Sequence, residues 1–284
     1  MITIITIITL MTGTACTSIV EYAHVVTDPR LPSTGPEAPP SASTTTPDMV
    51  LIPAGAFTRG SATEELDARA MRQVYLDDFW IDKVEVTAVD FWRCIESGKC
   101  DATPSADDDG EDEEEFNCST ASDKNLPASC VTWEQARQYC ASLGFRLPTE
   151  AEWEKAARGT TGSVYPWGST HPTCSRAIYY DGGAGCGRDS PWSVGSKPAG
   201  ASPYGVLDMA GNVAEWVEDA YDSSFYARAP NENPLWADST ATDGVTRGGS
   251  FDSDKTRLKT THRDRQSRTV VDPRIGFRCA KSIE

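Results

Sequence analysis

The stretch VTWEQARQYCASLGFRLPTEAEWEKAARG, residues 131–159, reads as two short helices with their punctuation in place. Thr132 and Gln135 stand three residues apart, the spacing at which a threonine hydroxyl and a glutamine side chain satisfy each other's backbone N–H groups at a helix start. This predicts a helix over WEQARQYCASL, stopped by Gly144. Pro148 then leads into a second such box, Thr149 with Glu152, which starts EAEWEKAAR. Ala151, Trp153, Ala156 and Ala157 fall near one face of that helix, and Gly159 ends it.

Upstream, MVLIPAGAFTRGS (residues 49–61) is a strand-like apolar run broken by Gly55 and Gly60. Tyr75 to Val86 alternates well enough for a strand. Thr87 with Asp90 then caps a helix carrying Val89, Trp92 and Ile95, which Gly98 stops. Beyond Gly159 the text changes to short segments punctuated by Gly, Pro, Asp and Trp, among them YPWGS, SPYGVLDMAGNVAEWVED and TRGGSFD. Such a pattern predicts an α+β domain of few helices, short strands and many ordered loops, whose backbones need disulfides or bound ions to hold them. The chain has no P-loop, GxGxxG fingerprint, GxSxG elbow or HExxH helix.

The N-terminus is organised differently. Residues 1–16 hold a short apolar run, ITIITIITLM, followed by Gly13, Thr14, Ala15 and Cys16, which reads as a signal peptide with a possible lipobox whose cysteine carries lipid. No Lys or Arg precedes the run and Gly13 stands where a lipobox usually has Leu, so a plain signal peptide is the alternative. Residues 17–47 are rich in Pro, Ser and Thr and read as a disordered tether, leaving 48–284 for the folded domain. This order predicts an exported protein held by an N-terminal lipid in the bacterial periplasm or at the outer membrane.

Besides Cys16, eight cysteines remain, an even number that suits an oxidising compartment. The short separations Cys94 to Cys100 and Cys174 to Cys186 suggest local clips, with full connectivity left open. His24, His171 and His262 are too scattered for a Cys/His zinc site. Forty-two acidic against 26 basic residues give a net charge of −16, which excludes nucleic acid as a partner. The run DDDGEDEEE, residues 107–115, reads as a solvated loop, because an EF-hand counted from Asp107 meets Asp112 where Gly is needed and Cys118 where Glu is needed.

FWIDKVEVT, VTWEQARQYCASLGFRLPTEAEWEKAARG, YPWG, SPYGVLDMAGNVAEWVED, RGGSF and GFRCA follow one another in an order that resembles the formylglycine-generating enzyme, or sulfatase-modifying factor, family over residues 49–283. The resemblance implies a variant of the C-type lectin-like fold, α+β with little regular secondary structure and disulfide support. It implies a Cys140–Cys279 bridge and a structural calcium held by Asp208, Gly211, Val213 and Glu215, oxygen ligands that suit a hard cation. It also implies an activity, oxidation of a sulfatase cysteine to formylglycine by copper(I) held on two cysteines after RGGS.

That last implication meets a departure. Where active members have the two cysteines, this chain has Ser253 and Leu258, and neither a hydroxyl nor a hydrocarbon replaces a soft thiolate on copper(I). Copper is therefore not expected. Ala214 stands where active members commonly carry Trp beside the cleft. The iron-binding branch needs an HxxxHxE set that this chain lacks. The expectation is a noncatalytic binding or accessory module of the cell envelope with a protein, peptide or glycan ligand. Its cleft would be lined by Ser250, Asp252, Ser253, Arg257, Leu258, His262 and Arg263. The alternatives are an active formylglycine-generating oxidase, or an enzyme of different chemistry using His262 and Asp264 as acid and base.

Overall fold

The chain runs β1 (Met49–Ile52), β2 (Gly55–Arg59), β3 (Arg72–Leu76), β4 (Phe79–Asp82), α1 (Ala88–Glu96), α2 (Trp133–Ser142), α3 (Glu150–Arg158), β5 (Ala214–Ala220), α4 (Phe225–Arg228), β6 (Asp243–Arg247), β7 (Arg263–Ser267), β8 (Ile275–Phe277) and β9 (Ala280–Ser282). This computed structural model describes residues 48–62, 68, 71–102, 118–120 and 122–283. The apolar N-terminal run, Cys16, the tether and the acidic run 107–115 lie outside the described residues.

Both capping boxes form. Gln135 N and Glu152 N donate to Thr132 Oγ1 and Thr149 Oγ1, and the Gln135 and Glu152 side chains accept from the two N-cap amides. Thr87 caps α1 in the same sense through Asp90 N. The expected strand over Tyr75–Val86 is instead two strands, β3 and β4, broken at Asp77 and Asp78. The cause is tertiary. β3 pairs with β2, whereas β4 lies between β1 and β9, and Asn233 Oδ1 accepts from Asp77 N at the break.

The larger sheet has the order β7-β6-β5-β8, antiparallel except for the parallel β5–β8 pair. Successive residues of a strand face opposite sides, and cross-strand partners face the same side. Glu215, Arg247 and Arg263, which are in register, therefore look to one side, as do Val217 and Val245. That side packs on α3 through Ala151, Trp153, Ala156 and Ala157. Trp216 and Phe277 look to the other side, where Ala136, Tyr139 and Cys140 of α2 and Phe91 of α1 cover them.

All nine residues of α3 are buried, polar face included. Glu150 Oε1 accepts from Arg263 Nε at 2.6 Å and Arg247 Nη1 at 2.9 Å, and its Oε2 from Arg59 Nη2 at 3.0 Å. Glu154 Oε2 accepts from Tyr226 OH at 2.7 Å and Arg247 Nη2 at 3.1 Å. Two carboxylates of one helix thus collect arginines from β2, β6 and β7 and the tyrosine of α4. Losing one member of such a buried set leaves uncompensated charge and costs about 3–5 kcal/mol.

Among the described residues four disulfides join Cys94–Cys100, Cys118–Cys130, Cys140–Cys279 and Cys174–Cys186. The third ties α2 to the segment between β8 and β9 across 139 residues, the long loop for which a cross-link restricts the unfolded chain most.

Burial alone pushes Glu150 up, but Arg263, Arg247 and Arg59 outweigh it and hold its carboxyl at about 2, against an ordinary 4.5. A carboxyl depressed on folding contributes stability above its unfolded pKa and loses it as pH falls towards the folded one. Stability should therefore drop by about 3 kcal/mol between pH 4.5 and 2. Asp219, raised to about 6 by burial and by Glu150, acts in the opposite sense and weakens the fold as pH rises from about 4 to 6. Urea unfolding of Glu150→Gln at pH 7 is expected to show a loss of about 3–5 kcal/mol. Its acid limb between pH 4.5 and 2 should flatten; a limb unchanged from the parent would show that another group titrates there.

Candidate functional site

The alternation that sends Arg247 and Arg263 to α3 sends their neighbours the other way. Thr246 and Asp264 are register partners on the opposite face of the sheet, with Gln266 two residues along β7. Beyond the part covered by α2, this face is open, and a cleft of about 600 Å³ lies over it. Its floor is Ala214, Thr246, Asp264, Gln266 and Ile275. Segment 248–262, between β6 and β7, supplies a wall of Ser250, Asp252, Ser253, Asp254 and Arg257. Asp272, Arg274 and Tyr180 complete it.

The wall is tightly folded. Gly249 has φ +67°, and a Cβ there would lie 3.1 Å from the Arg257 carbonyl oxygen, so the position takes glycine. Ser253 Oγ accepts from Ser250 N at 2.9 Å and stands 3.2 Å from Ser250 Oγ. Tyr180 N donates to Ser253 O at 2.9 Å, which joins the wall to the segment clipped by Cys174–Cys186.

Charge inside the cleft is arranged in pairs. Arg257 Nη1 donates to Asp264 Oδ1 at 2.7 Å, and His262 Nε2 lies 3.1 Å from Asp264 Oδ2. Burial favours the neutral form of Asp264, but His262 and Arg257 outweigh it and hold the carboxyl below its ordinary value. Arg274 Nη2 donates to Asp272 Oδ2 at 2.8 Å and Nη1 to Asp252 Oδ2 at 3.4 Å, and Asp272 first among these raises the arginine's pKa. Hydrogen bonds from Thr256 keep Asp254 low.

Of the expected cleft residues, Ser250, Asp252, Ser253 and Arg257 line it and the other three do not. Leu258 is fully buried in a small core with Tyr165, Ala177, Tyr179 and Ala210, because an aliphatic side chain in a polar loop is drawn under it. Arg263 turns to Glu150 on the far side of the sheet. His262 lies outside the lining, with its Nε2 beside Asp264 Oδ2. Sequence reading missed Thr246, Asp272, Arg274 and Tyr180 as lining residues; the signal for Thr246 was the two-residue period of a strand.

A second constellation surrounds the residues expected to hold calcium. Both oxygens of Glu215 are engaged, by Arg278 Nε and Nη2 at 2.6 and 2.7 Å and by Trp153 Nε1 at 2.8 Å. Asp208 Oδ2 accepts from Gly195 N and the side chain hydrogen-bonds that of Glu85. Glu85, unnoticed in the sequence, is fully buried and accepts from Asn212 Nδ2 at 3.0 Å. Burial raises both carboxyls, and Asp208 and Glu215 raise Glu85 further. Three buried carboxylates thus surround one guanidinium, but their oxygens do not converge as a trio; Glu85 and Asp208 are the pair of hard oxygen donors not taken by Arg278, and the two that a divalent cation would use. Copper(I) does not fit: Ser253 offers a hydroxyl, Leu258 nothing, and all eight cysteines among the described residues are in disulfides. Cys174, Asp181 and Cys186 lie close enough to share an ion, but both sulfurs are bonded to each other.

A family model described as sulfatase-modifying factor enzyme 1-like domain matches residues 34–283. The chain is 34% identical over 251 residues to serine/threonine-protein kinase pkn1 of Chlamydia caviae, covering 84% of this chain and 38% of that protein. It is 35% identical over 161 residues to inactive C-alpha-formylglycine-generating enzyme 2 of Bos taurus, covering 55% and 50%. The chain matches about two fifths to one half of these curated relatives. PvdO from Pseudomonas aeruginosa is similar in structure, with a TM-score of 0.70 at 25% identity, covering 84% of this chain and 95% of that one.

If Leu258 is a packing residue, Leu258→Ala should cost about 2–5 kcal/mol in urea unfolding. A loss below 1 kcal/mol would show instead that the side chain is free to enter the cleft.

Proposed function

The chain belongs to the family of sulfatase-modifying factor enzyme 1-like domains, and on that premise we propose that it is a noncatalytic binding or accessory module, with its ligand site in the cleft over β5, β6 and β7. Its architecture is the α+β, C-type lectin-like fold of the formylglycine-generating enzyme type, with little regular secondary structure and four disulfides. The observation that carries the proposal is the fate of the two copper positions. Ser253 lies in the cleft as a hydroxyl engaged with Ser250, and Leu258 has become part of a core. The chemistry the resemblance implies uses copper(I), a soft ion that prefers thiolates, at these two positions, and this wall offers none.

The proposal includes export with lipid on Cys16. The disulfides are compatible with export, and no helix among the described residues is long and apolar enough to cross a membrane. It also includes a structural calcium held by Asp208 and Glu85 with the carbonyls of Gly211 and Val213, where it would neutralise buried carboxylates that Arg278 leaves unbalanced.

Three measurements check these statements. Purified chain incubated with copper(I), oxygen and a CxPxR peptide should leave the cysteine thiol intact by mass spectrometry; turnover above a protein-free control overturns the noncatalytic reading. Excess chelator should lower the melting temperature of the parent and leave that of Asp208→Asn unmoved; a parent indifferent to chelator refutes the calcium. A fatty-acid analogue should label the parent and not Cys16→Ala, and a parent without label leaves simple secretion as the account of the N-terminus.

A further inference from the structure

An edge strand leaves a row of main-chain N–H and C=O groups open to another chain, and this fold closes or guards most of its edges. Arg146 N donates to Ala280 O at 2.9 Å and Ala280 N to Arg146 O at 2.7 Å, which covers β9. Val86 N donates to Phe277 O at 3.0 Å on β8, and Tyr75 exchanges hydrogen bonds with Asn231 and Asn233 on the outer side of β3. On β2 the Lys155 and Arg158 side chains reach Gly55 O and Thr58 O. β7 carries charge instead, with Arg263, Asp264 and Arg265 in succession.

β1 is the exception among the described residues. It stands first in the order β1-β4-β9, so only one of its sides pairs with a strand. Antiparallel residues point their main-chain groups alternately towards the partner strand and away from it. Lys83 N donates to Asp48 O, and Asp82 N, opposite Met49, turns instead to Cys279 O on the β9 side. This phase sends Val50 and Ile52 to β4 and leaves the N–H and C=O groups of Met49 and Leu51 facing outwards, where no described residue meets them. The strand reads MVLI, with no charge, proline or bulge to deter pairing. Its outer face is apolar as well. Leu51 and Trp80 are register partners, so they lie side by side, and they are 42% and 37% exposed.

We propose that this edge pairs with the same edge of a second copy of the chain, antiparallel about a two-fold axis at Val50. The edge is self-complementary. The axis sets Met49 opposite the partner's Leu51 and Leu51 opposite the partner's Met49, and each pair exchanges two hydrogen bonds, which satisfies every outward group of these residues on both copies. Two three-stranded sheets become one of six strands. Cross-strand partners share a face, so the outer row runs from Trp80 through Leu51 to the partner's Met49 and covers apolar surface that one copy leaves in water. Asp48 and Pro53 bound the strand and keep the interface small, so association is micromolar rather than nanomolar. Both copies carry a net charge of −16, and added salt therefore strengthens the pairing by screening their repulsion.

The test is sedimentation velocity of the full chain over a micromolar concentration series, with Cys16→Ala throughout so that lipid does not drive association. The parent should form dimers whose share rises with concentration and with salt. Leu51→Pro removes an N–H that the single copy does not use, as edge strands tolerate, and should leave only monomer with a melting temperature close to the parent's. Met49→Lys should weaken association at least about tenfold and decides the matter if Leu51→Pro does not fold. Register is read by mild oxidation. Val50→Cys should give a covalent dimer, because the axis brings the two Cα atoms to about 4.5 Å. Leu51→Cys should not, since its two copies lie about 7–8 Å apart. A parent that stays monomeric, dimers that persist in Leu51→Pro or Met49→Lys, or cross-linking by Leu51→Cys in place of Val50→Cys overturns the proposal. Association lost in Trp80→Lys but kept in Leu51→Pro is contact between exposed apolar faces and overturns it too.

Discussion

One carboxylate, that of Glu150, receives Arg247 and Arg263 on the same oxygen. Arg247 is the last residue of β6 and Arg263 the first of β7, so the two stems of the cleft wall meet at one buried point. Residues 248–262 run between these stems, held further by Tyr180 N on Ser253 O and by Leu258 in its own small core. Arg59 brings β2 to the other oxygen, and Tyr226 brings α4 to Glu154 one turn further along α3. Buried ion pairs do little for stability against a well-packed apolar alternative, but they are directional, and direction is what a long wall with little regular structure lacks. The clamp converts an α-helix into a fixed reference for the cleft.

The pleat of the sheet keeps this scaffold apart from the site. Arg247 and Arg263 are scaffold, and their neighbours Thr246 and Asp264, one residue away, are cleft. Side chains on the cleft face can therefore change with small effect on the face that packs against α3. That separation allows the capping boxes, the Cys140–Cys279 bridge and the Glu150 clamp to stand beside a cleft wall that carries Ser253 and no thiolate.

What was legible in the sequence was local. The three capping motifs at Thr87, Thr132 and Thr149 needed only residues three positions apart and formed as read. The cysteine of α2 and that of GFRCA met through family resemblance, not through spacing. Elsewhere the deciding contact came from far along the chain. The helix Glu150–Arg158 looks amphipathic, and a polar face ordinarily meets water, yet arginines from 91 to 113 residues away cover it. Charged residues 263–267 carry an alternation that no apolar residue marks, so Arg263 was expected in the cleft although Asp264 is there. Glu85 sits in an apolar run, where the need for a buried partner such as Asn212 or Asp208 was the available clue.

If the Glu150 clamp sets the cleft, its loss must be felt first in the wall. The direct measurement is hydrogen–deuterium exchange at neutral pH, comparing the parent with Glu150→Gln peptide by peptide. The account predicts faster exchange in residues 248–262 and in Arg263–Ser267, with β1, β4 and β9 unchanged, since that sheet makes none of the clamp's hydrogen bonds. Protection in 248–262 equal to that of the parent, or lost no more there than in the β1-β4-β9 sheet, would contradict it.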